Sequence, residues 1–218
     1  MAAGYTTIER ASRGDLGLTA REFALLRPLS TPQKVQAFID AIPTNHELGG
    51  ETTYSVREVL RNRRAHCIEA AFVAACAQWI HGEPPLLMHL DCAESDAPHV
   101  VALYRRRGFF GAISKSNSAL LRFRDPAYRT LRELALSYLH EYTDKRGNKT
   151  LRSYSRAFDL RRVPPAAWVA SPDSCAAVDD RLAWLPHYPL LTPAQARGLA
   201  RRSPFERRIA ALVEHPRR

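Results

Sequence analysis

The stretch from Ile68 to Ile80 most limits what this chain can become. Ile68, Ala71, Phe72, Ala74, Ala75, Trp79 and Ile80 make it apolar on most sides, and Gly82 with Pro84-Pro85 stops it. A helix without a polar face belongs in the middle of a fold, so the rest of the chain must be built around it. Three short strand candidates follow: Leu86 to Asp91, His99 to Tyr104 and Phe109 to Ser114. Arg105-Arg106-Arg107-Gly108 reads as the hairpin turn between the last two. A central helix, then strands, then peripheral helices predicts an α+β fold.

Caps place the other helices. Thr31-Pro32 opens one that carries Val35, Phe38, Ile39 and Ile42, and the Ser55–Glu58 box opens a second with Val56, Val59 and Leu60. Pro126 to about Tyr142 reads as a long helix with the stripe Leu131, Leu134, Ala135, Tyr138 and Leu139, and Leu151 to Leu160 as a returning strand. Residues 161–193 are rich in proline and read as irregular, anchored by Trp168 and Trp184. Thr192-Pro193 and Ser203-Pro204 announce two last helices. The expected organisation is an extension over 1–29, a core domain over 30–160, and a Pro-rich segment with helices over 161–218 that packs on the core.

A chain of 218 residues with 45% hydrophobic and 25% charged residues suits one core. No apolar run is long enough to span a membrane, and the first ten residues lack the layout of a secretory signal, so the expectation is a cytoplasmic protein with no membrane partner. Four cysteines in this length do not make a disulfide framework, and reduced thiols are expected. The net charge of +10 is carried largely by arginines, clustered at 61, 63 and 64, at 105 to 107, and at 161 and 162. Such a balance suits nucleic acid or another polyanion. No aromatic-interleaved basic stripe accompanies it, so polyanion binding is an alternative and not the leading reading.

The chemistry is concentrated at Cys67 and His99. Cys67 stands where a polar turn becomes the central helix, and a thiol in the first helical turn feels unpaired N–H groups and the positive end of the helix dipole. His99 opens a strand candidate and can complete a thiolate–imidazolium pair. The competing readings are a buried core cysteine and a hydrogen-bonded structural histidine. Cys76 reads as core. His66, Cys67, Cys76, His81, His89, Cys92 and His99 also crowd together, but only His89-x-x-Cys92 has the short spacing of structural zinc ligands, so no metal or other cofactor is expected.

The segment Val59-Leu60-x-x-Arg63-x-x-x-Cys67-x-Glu69-x-Ala71, the helix end Gly82-Glu83-Pro84-Pro85, the His99 strand and Gly108-Phe109-Phe110-Gly111-Ala112-Ile113-Ser114 resemble the transglutaminase-like superfamily, which shares the papain-like cysteine-protease fold. The resemblance covers residues 30–118, and a closer one, to small bacterial transglutaminase-like proteins, extends to about 160. It implies a papain-like core with Cys67 as nucleophile and His99 as its base. Ala65-His66 replaces the family's glycine before the nucleophile, and the aspartate that orients the histidine is missing. Asn117 is favoured in its place, with Ser114 and Ser116 as alternatives; Asp91 and Asp96 precede the histidine. The oxyanion donor beside the Cys67 N–H is expected from Asn62, and His66 is expected to line the cleft, since successive helix residues point apart and make it a poor base. Glu69 is expected to brace the helix entrance or bind Arg63 or Arg64. The resemblance implies a hydrolase or acyltransferase acting on peptide or isopeptide amides. The competing readings are a degenerate peptide- or protein-binding module and the polyanion binder.

Overall fold

A computed structural model describes residues 8–217 of the chain. Its first three helices begin where a hydroxyl oxygen takes an otherwise unpaired amide. In α1 (Ala20–Leu26), α2 (Pro32–Asp40) and α3 (Val56–Asn62), Thr19, Thr31 and Ser55 accept from the N–H of Glu22, Lys34 and Glu58. The apolar run forms α4 (Cys67–Ile80), in which every residue except Cys67 and Trp79 is buried. Residues 8–29, read as part of an extension, send Leu16, Leu18 and Leu26 into the same core as α4. Met1 to Thr7 lie outside the described residues.

The strands are β1 (Leu86–Cys92), β2 (His99–Arg106), β3 (Phe109–Ile113), β4 (Arg124–Tyr128), β5 (Leu151–Ser155), β6 (Phe158–Asp159) and β7 (His187–Pro189). They form one antiparallel sheet in the order β4-β3-β2-β1-β5-β7, with β6 also beside β1. Alternation along β2 divides the core. Val100, Ala102 and Tyr104 join the α4 cluster, whereas Val101 and Leu103 join Met88, Leu90, Leu134, Tyr138 and Tyr142. The remaining helices are α5 (Leu131–Leu136), α6 (Ala176–Ala183), α7 (Pro193–Arg197) and α8 (Pro204–Ala210). The chain is thus α+β, with several helices about a small antiparallel sheet.

The structure corrects the reading in four places. Pro126 does not open a long helix. It lies in β4, an edge strand that tolerates a residue without N–H, and the helix starts only after Thr130, whose side chain accepts from Glu133 N–H. Arg105 and Arg106 belong to β2, so the hairpin turn contracts to Arg107 and Gly108, both at positive φ (51° and 87°), as a tight right-twisted hairpin requires. The segment read as irregular contains α6 and β7. Trp168 is fully buried and stacks on Trp79, but Trp184 is 88% exposed at the end of α6 and anchors nothing. No helix among the described residues is long and apolar enough to cross a membrane.

Candidate active site

Cys67 is the first residue of α4, so its N–H belongs to the first turn that the helix itself leaves unpaired. The chain enters that turn under tight control. Ala65 forms a bridge with Thr44, its N–H donates to the Pro43 carbonyl, and its own carbonyl accepts from Asn45 N–H. His66 is the N-cap, with extended backbone (φ −98°, ψ −167°). The rule that successive helix residues diverge therefore does not govern it, and its Nδ1 comes 3.9 Å from the Cys67 sulfur. That corrects the expectation that His66 is badly placed for the thiol.

The other end of the His66 ring faces acceptors. Nε2 is 2.9 Å from the Thr52 carbonyl, 3.3 Å from Glu69 Oε1 and 3.7 Å from Glu47 Oε1. Glu69 has no exposed surface, and it meets neither Arg63 nor Arg64 in any ion pair of the described residues. Its carboxylate accepts from Asn45 Nδ2, Thr52 Oγ1, Tyr54 N–H and His66 N–H. Burial alone would raise its pKa. The bond to His66, the charge of that ring and the backbone donors outweigh burial and hold the carboxyl below its ordinary value. For His66 the same balance runs the other way. Burial would lower it, but Cys67 and Glu69 raise it to about 11.

His99 is the first residue of β2 and is buried. The loop that leads into it is fastened by Tyr142 Oη, which donates to the Ala97 carbonyl at 2.6 Å, and by Thr150 Oγ1, which donates to Asp96 at 2.5 Å. Its Nε2 lies 2.8 Å from Ser114 Oγ, and that hydroxyl is 2.6 Å from the Leu121 carbonyl. A carbonyl only accepts, so the serine proton goes to Leu121 and Ser114 accepts from His99 Nε2–H. The neutral ring therefore carries its lone pair on Nδ1. Gln36, on α2, holds Ser114 by both backbone groups, accepting from its N–H at 3.0 Å and donating to its carbonyl at 2.8 Å.

Both rings act on the thiol. Cys67 is partly exposed but enclosed enough that burial by itself would raise its pKa. Hydrogen bonding from His66 and from His99, followed by their charges, holds it well below the ordinary thiol value. The other cysteines contrast with it. Burial pushes Cys76 far up, and it puts Cys92 and Cys175 at about 11. All four are free thiols.

The remaining expected site residues lie elsewhere. Asn117 does not meet His99: its Oδ1 accepts from His215 N–H at 2.8 Å and its Nδ2 donates to the His215 carbonyl at 3.0 Å, so the side chain ties down the C-terminal segment. Ser114, an alternative from the sequence, occupies the position beside the ring. Ser116 Oγ accepts from Ser118 N–H in a local turn, and Asn62 donates to Glu58 within α3. Asp91 accepts from Ser153, and Asp96 is engaged by Thr150. No sequence motif marked Gln36, Asn45 or Thr52, whose roles depend on loops meeting from distant parts of the chain. Several arginines are bound in ion pairs, among them Arg57 with Glu22, Arg106 with Glu83 and Arg122 with Asp40.

No protein-family model and no curated protein matches this chain. The functional reading therefore rests on the residues and their geometry.

Proposed function

We propose that the chain is a thiol-dependent acyltransferase or hydrolase of the transglutaminase-like, papain-like type, acting on amide bonds of peptides or proteins. One observation carries the reading: a cysteine that opens a buried helix with a histidine ring 3.9 Å from its sulfur, together with a strand histidine whose tautomer Ser114 sets, both of which lower the thiol pKa. The order of nucleophile helix and histidine strand, and the motifs around Cys67, support the family assignment.

In this reading the Cys67 thiolate attacks the substrate carbonyl carbon, and the carbonyl electron pair moves onto oxygen, near the unpaired Cys67 N–H. Protonated His99 gives its proton to the leaving amine as the C–N bond breaks, which leaves a thioester on Cys67. Neutral His99 then takes a proton from water or an acceptor amine, whose attack breaks the C–S bond and restores the thiolate. A serine hydroxyl supports the imidazolium less than a carboxylate does, but it fixes the ring and its tautomer.

The test is alkylation of Cys67 by iodoacetamide from pH 5 to 10, together with mass-spectrometric capture of an acyl group from an activated ester. The expected results are rapid labelling well below pH 8.5, the ordinary range for a free thiol, and an acyl adduct on Cys67 that Cys67→Ser abolishes. Labelling only at ordinary thiol pH would overturn the reading.

A further inference from the structure

We propose that His66 is a second catalytic histidine, a fixed cation on the Cys67 sulfur that stays charged whatever the state of His99. His99 is then free to gain and lose its proton during turnover without the nucleophile being lost. The inference rests on the proposed function and goes beyond it, because a single cysteine–histidine pair has one cation to serve both purposes.

The geometry supplies the argument. His66 Nε2 faces the Thr52 carbonyl, Glu69 Oε1 and Glu47 Oε1, all of them acceptors, so that nitrogen carries a hydrogen. Glu69 receives only donors and has no exposed surface, which fixes it as a carboxylate. A buried carboxylate needs a cation, and among the described residues His66 is the one that forms an ion pair with it. Nδ1 of the same ring then donates to sulfur at 3.9 Å, with the thiol proton resident on the imidazole. His99, at the start of β2, also lowers the thiol pKa and holds its Nε2 proton on Ser114.

The other titratable groups that act on this ring and on the thiol fit the assignment. Glu47, in the loop after α2, and Glu69, on α4, both favour the cation. Asp179, on α6, is pushed up to about 6, first by burial and then by the charge of Cys67. The Tyr142 hydroxyl is raised by burial first, with the Cys92 and Cys67 charges adding to it. None of these competes with His66 for the role of cation.

The division of labour is testable through the pKa of Cys67 alkylation in wild type, His66→Gln, His99→Ala and the double variant. The expected result is that each single variant raises the thiol pKa by about one unit or more yet leaves it below about 8.5, and that only the double variant reaches that ordinary value. His99→Ala should retain a labile thiolate while losing turnover of an amide substrate. Two results would overturn the proposal: a His66→Gln thiol as acidic as wild type, or a His99→Ala thiol at the ordinary value. An ordinary thiol in wild type would sink the functional reading itself, a distinguishable failure. If His66→Gln does not fold, nitrogen NMR of wild type decides. A doubly protonated His66 ring at pH 8 is expected, and a neutral ring overturns the proposal.

Discussion

His99 Nε2, at the start of β2, and Ser114 Oγ, one residue past the end of β3, are 2.8 Å apart, and the serine's own proton is committed to the Leu121 carbonyl 2.6 Å away. The serine can therefore only accept from the ring, which turns Nδ1 into the base. Replacing Ser114 by alanine removes that constraint and frees the Leu121 carbonyl. One hydrogen bond of about 1 kcal/mol translates to roughly a fivefold lower rate of acyl transfer, with larger losses if the ring takes the other tautomer. Asn117→Ala, whose bonds go to His215, should leave the rate unchanged and loosen only the C-terminal segment. Acylation kinetics of the two variants side by side decide the matter, and a rate loss in Asn117→Ala alone would reverse the assignment.

The His66–Cys67 pair has a definite signature in stability. With ordinary values of 6.5 for the imidazole and 9.0 for the thiol, the unfolded pair holds two protons below pH 6.5, one between 6.5 and 9, and none above 9. The folded pair, with the thiol depressed and His66 at about 11, holds one proton throughout the middle range and keeps it up to that value. Its contribution should therefore be level from about pH 6.5 to 9. It should decline on the acid side and fall by about 1.4 kcal/mol per pH unit above pH 9. Glu69, held below its ordinary 4.5, adds a further loss as pH drops through that region. Urea unfolding of wild type and His66→Gln across pH 5–10 tests this. An alkaline limb of equal steepness in both proteins would mean that the pair is not charged.

What the sequence made legible was local. The central helix, its stop, three strands and the caps at Thr31 and Ser55 depend on neighbours within a few residues, and so do the placements of Cys67 and His99. The long helix from Pro126 failed because Leu131, Leu134, Ala135 and Tyr138 keep helical spacing past the point where the helix ends. The Thr130–Glu133 cap was a readable signal for its true start. The role of Ser114 depends on where the end of β3 lies beside the start of β2 and on a carbonyl from a later loop. Glu69 becomes a hub only when Asn45, Thr52 and Tyr54 fold over it. His66 was misjudged by a rule that holds inside helices and lapses at the cap.

A second histidine pair lies on β1 and β7. His187 Nδ1 donates to the Leu185 carbonyl at 2.6 Å, so its Nε2 accepts from His89 Nδ1–H at 2.9 Å. Burial is the largest cause that pushes His89 down to about 4 from its ordinary 6.5, and a proton on His187 would oppose a second one on His89. The unfolded chain therefore takes up a proton that the folded one refuses, and stability present above pH 6.5 is lost progressively down to pH 4. The loss amounts to roughly 3 kcal/mol. His89→Leu should lower stability at pH 7, since it orphans His187, but make the decline between pH 6.5 and 4.5 shallower. An unaltered acid slope would show that His89 titrates normally in the folded protein.

The hairpin that delivers both His99 and Ser114 depends on a glycine for a steric reason. Gly111 pairs with Tyr104 across β2 and β3, and a Cβ built there would sit 2.4 Å from the tyrosine ring. The ring covers residue 111, stacks on Phe123 and donates its hydroxyl to the Arg124 carbonyl at 3.0 Å, so it cannot withdraw without losing both contacts. Gly111→Ala should therefore cost about 1–3 kcal/mol, the usual range for overpacking a filled site. Tyr104→Leu vacates the space above residue 111. In that background the alanine should be tolerated, so that the two changes together cost less than the sum of each alone. Thermal unfolding of the four proteins measures the coupling. Strict additivity would mean that the glycine serves the backbone and not the ring.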